Sequence, residues 1–235
     1  SKAPQLPASS LSSHYSLEIS PVDATRKSTL NLTPEGFSLT DAKIEWLVNG
    51  NSVVSPTLSQ FKTINTKKGD NVQAKAIIED KEILSNSITI KNTPPEFTKI
   101  KIMPEAFKLG DRLYVDVAGS DADGDPVTIL YEWTKNGEPE GNDQKIATEV
   151  KRGDKISVKI TLFDGEAYSR PTTLNREIKN MPPMIIEDKN FNFDGKVYTY
   201  QVKAVDPDGD PLTYSLKSSP DGMFINPATG LIRWD

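Results

Sequence analysis

The sequence predicts an all-β chain built from tandem β-sandwich modules, and three observations carry that prediction. Blocks of residues recur 84–88 positions apart, apolar residues alternate with polar ones, and turn residues separate the alternating runs. The recurrence sets the module length. Ile44-Glu45-Trp46-Leu47-Val48-Asn49-Gly50 returns as Tyr131-Glu132-Trp133-Thr134-Lys135-Asn136-Gly137, with the tryptophans 87 residues apart. Lys68-Gly69-Asp70 returns as Arg152-Gly153-Asp154, 84 residues on. Lys91-Asn92-Thr93-Pro94-Pro95 returns as Lys179-Asn180-Met181-Pro182-Pro183, 88 residues on. Asp121-Ala122-Asp123-Gly124-Asp125-Pro126 returns as Asp206-Pro207-Asp208-Gly209-Asp210-Pro211, 85 residues on, while the first unit carries a different loop, Thr33–Asp41, in that place.

These blocks divide the chain into a flexible N-terminal tail over 1–14, repeats over 15–92 and 93–180, and a third repeat over 181–235. The third is the shortest of the three. The Pro-Pro links have fixed φ and bias the residue before them to extended geometry, which predicts stiff joints and an elongated array.

Taken in order, each predicted strand follows from its pattern. Ile44–Val48 is a short strand closed by Asn49-Gly50, the strongest two-residue hairpin signal. Val72–Ile78 alternates on Val, Ala and Ile, and Ile88–Lys91 closes the first unit. Leu113–Ala118, Tyr131–Lys135 with Asn136-Gly137, and Ile156–Leu162 repeat the scheme in the second unit. Val197–Val205 opens the third on β-branched and aromatic residues. Alternation places Ile44 with Trp46, and Tyr131 with Trp133, on one face of each strand. Trp46 and Trp133 are therefore expected as core fillers between two sheets. In the third unit Leu212-Thr213-Tyr214-Ser215-Leu216 takes that place, with Tyr and Leu inward.

Composition excludes several kinds of chemistry. There is no cysteine, so disulfides, thiolate nucleophiles and zinc-thiolate sites are impossible. The one histidine, His14, follows a polar Pro/Ser/Ala stretch and reads as a solvent-exposed tail residue rather than a catalytic base. No catalytic residues are assigned, and an enzyme is not expected. The net charge is −5 and the basic residues form no stripe, which argues against nucleic acid. Lys67-Lys68 and Lys151-Arg152 read as solvated loop charge. No apolar run approaches the ~20 residues of a membrane span, and no secretion signal is visible.

One constellation carries chemistry. Asp121, Asp123 and Asp125, and again Asp206, Asp208 and Asp210, stand at alternate positions around a glycine. Carboxylates so spaced can wrap a hard cation, and calcium takes six to eight oxygens. An EF-hand is rejected: the glycine is fourth rather than sixth, a strand follows, and the twelfth position from Asp206 is Lys217. The same residues also make a strong acidic turn with no metal, through side-chain bonds to backbone amides. Both readings, calcium ligands and turn formers, stand at this point.

Asp206–Leu216, followed by the hairpin residues Pro220-Asp221-Gly222-Met223-Phe224-Ile225-Asn226-Pro227-Ala228-Thr229-Gly230-Leu231-Ile232-Arg233-Trp234, resembles the bacterial “putative Ig”, cadherin-like (dystroglycan-type) surface repeat over most of 184–235. The second unit, through Asp121–Thr128 and Tyr131-Glu132-Trp133, resembles the same superfamily or the related polycystic-kidney-disease-type repeat. The resemblance implies tandem immunoglobulin-like sandwiches, a secreted or surface setting, and calcium in some members. Members of that family continue past this hairpin with about two more strands, so the resemblance implies that the third repeat, 181–235, is incomplete or borrows strands from elsewhere.

The expectation is thus a non-catalytic structural or adhesive stalk of a secreted or surface-anchored bacterial protein, stiffened by calcium. It would be extracellular, at the cell surface or periplasmic, with a protein or glycan partner and any membrane anchor outside this chain. The alternative is a polysaccharide-binding accessory region of a secreted enzyme, which needs a row of exposed aromatic rings.

Overall fold

A computed structural model describes residues 14–108 and 110–235. The predicted tail therefore lies outside the described residues except for His14, which is exposed. By its contacts the chain falls into two compact units. One holds the residues up to Phe97 together with Gly119–Thr128 and Leu162–Ser169; the other holds Thr98–Ala118, Ile129–Thr161 and Arg170–Asp235. The architecture is all-β, with tandem immunoglobulin-like sheets, as the alternation predicts.

The first sandwich contains β1 (Ser16–Ser20), β2 (Thr29–Glu35), β3 (Lys43–Val48), β4 (Asn51–Val53), β5 (Gln60–Lys62), β6 (Asn71–Ile78), β7 (Lys81–Leu84) and β8 (Ile88–Thr89). One sheet runs β1-β2-β5; the other runs β4-β3-β6-β7, with β8 also pairing β6. Every second residue of β6 points inward (Val72, Ala74, Ala76, Ile78), so the central strand is set by its period of two. Leu17, Ile19, Leu30 and Leu32 face it from the other sheet. Trp46 stacks on Phe61 with ring centroids 5.3 Å apart, and both are buried. Fully burying a side chain of this kind contributes about 1.5–3 kcal/mol.

The second sandwich contains β9 (Glu96–Met103), β10 (Tyr114–Ser120), β11 (Thr128–Lys135), β12 (Glu138–Pro139), β13 (Lys155–Phe163) and β14 (Thr172–Glu177). Here β9 pairs β10, and a four-stranded sheet runs β12-β11-β13-β14. Ile156, Val158 and Ile160 are buried on β13, and Trp133 is buried on β11 with its indole N–H donated to the Asp143 carbonyl at 2.8 Å. Both tryptophans are core residues, as their strand positions predict.

The last residues form β15 (Met184–Ile186), β16 (Asn192–Phe193), β17 (Tyr198–Gln201), β18 (Lys203–Val205), β19 (Met223–Ile225) and β20 (Leu231–Trp234). β15 pairs β18, and β16-β17-β20-β19 form a four-stranded sheet. No hydrophobic residue after Met181 is buried. Leu212, Tyr214 and Leu216 do alternate inward as predicted, but only to half-burial, and 211–217 joins no sheet.

Candidate functional site: two acid loops latched to the Pro-Pro links

Each acid loop is first a turn. Asp121 Oδ1 accepts the amides of Asp123 at 2.8 Å and Asp125 at 3.1 Å. Asp206 Oδ1 accepts those of Asp208 at 2.8 Å and Asp210 at 3.1 Å. Gly124 and Gly209 sit at φ 85° and 76°, left-handed backbone that a glycine adopts without strain. The first aspartate of each set is therefore spent partly on closing its own loop.

The second aspartate of each set reaches back to the preceding link. Asp123 Oδ2 accepts the Thr93 amide at 2.7 Å, and Asp208 Oδ2 accepts the Met181 amide at 2.7 Å. Thr93 and Met181 are the residues directly before the Pro-Pro pairs, and both are buried. The third aspartate takes a cation. Lys68 Nζ lies 2.8 Å from Asp125 and also donates to the Asn92 side-chain oxygen at 3.0 Å. Arg152 binds Asp210 with two nitrogens, at 2.6 and 3.1 Å, and donates to the Asn180 side-chain oxygen at 2.8 Å. The two clamps match partner for partner, and each lies inside one of the two compact units.

This corrects the reading of Lys68 and Arg152 as solvated loop charge. The signal was in the sequence: the basic residue before Gly-Asp, the asparagine before the Pro-Pro link and the acid loop all recur at nearly one offset. The aspartate of each basic-Gly-Asp turn has its own task. Asp70 accepts from the Asn49 amide at 2.9 Å and the Lys67 backbone at 2.7 Å, which together hold its carboxyl below the usual range. Burial pushes the Asp154 carboxyl up, but bonds from Asn136 and the Lys151 amide leave it lowered on balance. One three-residue turn thus ties its own Asn-Gly hairpin and, through its cation, the following acid loop. The Arg-Gly-Asp at 152–154 is such a turn, with Arg152 paired and Asp154 buried.

The clamps differ in what surrounds them. Around the first, Lys68 also meets Glu166 at 3.0 Å, and Asn92 donates to Asp164 at 2.8 Å. Arg26 donates to the Ala122 carbonyl and, at 2.9 Å, to that of Ile64. Asp121 Oδ2, Asp123 Oδ1 and Arg26 Nε are buried there without a hydrogen-bond partner. Around the second, none of the three aspartates holds such an atom, and the Arg152 guanidinium lies 4.0 Å from Asp208 as well. In each set, one carboxylate oxygen per residue lies within 4.8 Å of the others. The sequence places all six aspartates correctly in two groups, but gives no hint of the two orphaned oxygens.

A row of exposed aromatic rings, which the sequence reading did not find, lies on one rung of the last sheet. Phe193 pairs Tyr198, and Tyr198 pairs Trp234. Phe193 and Tyr198 stack at 4.2 Å and 20°, so their facing sides cover each other instead of lying open for a sugar ring. Among the described residues no helix is long and apolar enough to cross a membrane.

Comparison with known proteins adds the following. No curated protein matches the chain. Among solved structures it is similar to the three N-terminal domains of the bacteriophage RB49 highly immunogenic outer capsid protein (14% identity, 94% of this chain and 86% of that one, TM-score 0.32). It is also similar to fibronectin(III)-like modules of Clostridium thermocellum CbhA (18%, 69% and 94%, TM-score 0.29). A third is the N-terminal eight Ig domains of the Down syndrome cell adhesion molecule (13%, 93% and 32%, TM-score 0.41). Scores this low carry no functional inference. Residues 186–235 match the family described as “Putative Ig domain”, the stretch whose acid loop and Asn-Pro-Ala-Thr-Gly hairpin carry the resemblance read from the sequence.

Proposed function

We propose that the chain is a non-catalytic structural or adhesive segment of a secreted or surface-anchored bacterial protein, in which an acid-loop clamp holds each Pro-Pro link. The supporting observation is that the same set of partners is built twice: cation to third aspartate, link amide to second aspartate, loop amides to first. A link whose last amide is bonded and whose prolines fix φ has little freedom to swing. That is the property a spacer or display segment needs.

The finer part of the proposal concerns calcium. The first loop suits a hard cation, because Asp121 Oδ2 and Asp123 Oδ1 are buried acceptors without donors and Asp125 and Glu166 stand beside them, shared with Lys68. The second loop suits it less, since the Arg152 guanidinium already supplies the positive charge. Calcium bound at the first loop would stabilise the folded form by mass action. The test is calorimetric calcium titration with thermal melts in calcium and in chelator. Heat and a raised Tm that Asp123→Ala removes and Asp208→Ala retains support calcium at the first loop. No heat and no shift leave both loops as turns clamped by Lys68 and Arg152 alone.

A further inference from the structure

The first acid loop already holds a cation supplied by the chain itself. The Lys68 ammonium donates to Asp125 Oδ2 at 2.8 Å, to Glu166 Oε2 at 3.0 Å and to the Asn92 side-chain oxygen at 3.0 Å. Asp125 belongs to the acid loop, Glu166 to the connection between β13 and β14, and Asn92 to the stretch leading into the Pro-Pro link. One charge thus draws together oxygens from three separate segments, which is also what a hard metal ion does.

Beside the ammonium stand oxygens that no donor serves. Asp121 Oδ2 and Asp123 Oδ1 are buried without a partner, and one carboxylate oxygen from each of Asp121, Asp123 and Asp125 lies within 4.8 Å of the others. Buried acceptors without donors are costly, and a cation bound to both would satisfy them at once. Lys68 and Asp123 line one cavity of about 400 Å³ together with Arg26 and Lys67, and the Lys68 side chain is 35% exposed, so the site has an approach from solvent.

The free oxygens are too few to bind calcium alone. Calcium takes six to eight, whereas Asp121 Oδ1 and Asp123 Oδ2 are committed to backbone amides. The oxygens that would complete a set are those Lys68 holds. A dication bonded to them, at the usual calcium–oxygen distance, would stand within about 5 Å of the ammonium, and like charges that close repel. Charge balance favours the exchange. Asp121, Asp123, Asp125, Asp164 and Glu166 stand in this cluster against Lys68 and Arg26 alone, a surplus that a double charge offsets better than a single one.

We propose that calcium and the Lys68 ammonium are alternative occupants of the first acid loop: the dication enters by displacing Lys68 from Asp125 and Glu166, and Lys68 returns when calcium is scarce. This rests on the reading of the first loop as a calcium site and adds its regulation. Lys68 sets the calcium concentration at which exchange occurs, because only the fraction of molecules with Lys68 released is competent to bind. The Thr93 amide keeps its bond to Asp123 Oδ2 in both states, since the oxygen offered to calcium is Oδ1. The second loop has no such exchange: Arg152 binds Asp210 with two nitrogens, and none of its three aspartates holds an orphaned oxygen.

The test is calorimetric calcium titration of the whole chain as wild type, Lys68→Met, Lys68→Arg and Lys67→Met, with melts in chelator to report that each is folded. Lys68→Met removes the competing charge and should bind calcium at least about fivefold more tightly than wild type. Lys68→Arg keeps the charge and should bind no more tightly than wild type. Lys67→Met changes the net charge equally without touching the contact, and should gain no more than about twofold. Adding Asp123→Ala to Lys68→Met should abolish the binding, which locates it at the first loop. Binding in Lys68→Met but not in wild type also supports the proposal, with Lys68 excluding the ion. Equal affinity in wild type and Lys68→Met overturns the exchange and leaves the calcium site standing. So does an equal gain in Lys67→Met, which reduces the effect to net charge. No binding in any variant overturns the calcium reading and the exchange together.

Discussion

The bond from the Met181 amide to Asp208 gives the clamp its sharpest test. The Asp208 side chain is 2% exposed and its Oδ2 lies 2.7 Å from the buried Met181 nitrogen. Asp208→Ala removes the acceptor and leaves that donor in a site water does not reach. A hydrogen bond to a charged group contributes about 1.5–3 kcal/mol, and an orphaned buried donor costs a similar amount. At 1.4 kcal/mol per tenfold, the Met181 amide should exchange about 10- to 100-fold faster in Asp208→Ala. Asp208→Asn keeps a carbonyl acceptor and should give a smaller change. Local exchange is the right assay, because a chain of several modules need not unfold in one step and its melting curve would blur a local effect. The Asp123→Ala variant should do the same to the Thr93 amide. Unchanged exchange at Met181 in Asp208→Ala would refute the clamp as the element that holds the link.

Other outcomes follow from individual contacts. The cationic part of the second clamp is exposed, so Arg152→Ala should destabilise only slightly, and less in high salt; an effect that salt does not change would contradict this. Arg152 holds the Asp210 carboxyl below its usual range. The pair's contribution is therefore present above the unfolded carboxylate value of about 3.9 and is lost as pH falls through the lower folded value. Acid exchange measurements on Asp210→Asn should lack that component. The two core tryptophans should respond differently to Phe: the Trp133 indole N–H has a partner and that of Trp46 has none. Trp133→Phe should destabilise by about 1 kcal/mol more than Trp46→Phe in denaturant titration, since it loses that hydrogen bond whereas Trp46→Phe removes a buried donor that has none. At the hairpins, Asn49 and Gly50 have φ of 51° and 80°. Gly50→Ala should cost about 1–2 kcal/mol from the left-handed backbone alone, because an added Cβ there meets nothing within 4 Å.

The strands and turns were legible in the sequence because their signals are local. A period of two decides which side chains of β6 and β13 face inward, and Asn-Gly decides where β3 turns into β4, without reference to distant residues. Recurrence at 84–88 residues exposed the modules for the same reason: each copy needs the same local chemistry at the same offset. The pairing of charges was legible only as a recurrence of its members at one offset, not as a contact between them. Lys68 meets Asp125 57 residues away, and Arg152 meets Asp210 58 residues away. A lysine beside a turn has the same sequence whether it is hydrated or clamped. One feature was settled by tertiary structure alone: the orphaned oxygens that make the first acid loop unlike the second. It depends on what stands opposite a group in space. Alternation specifies which way a residue points, but it does not specify whether anything is there to meet it.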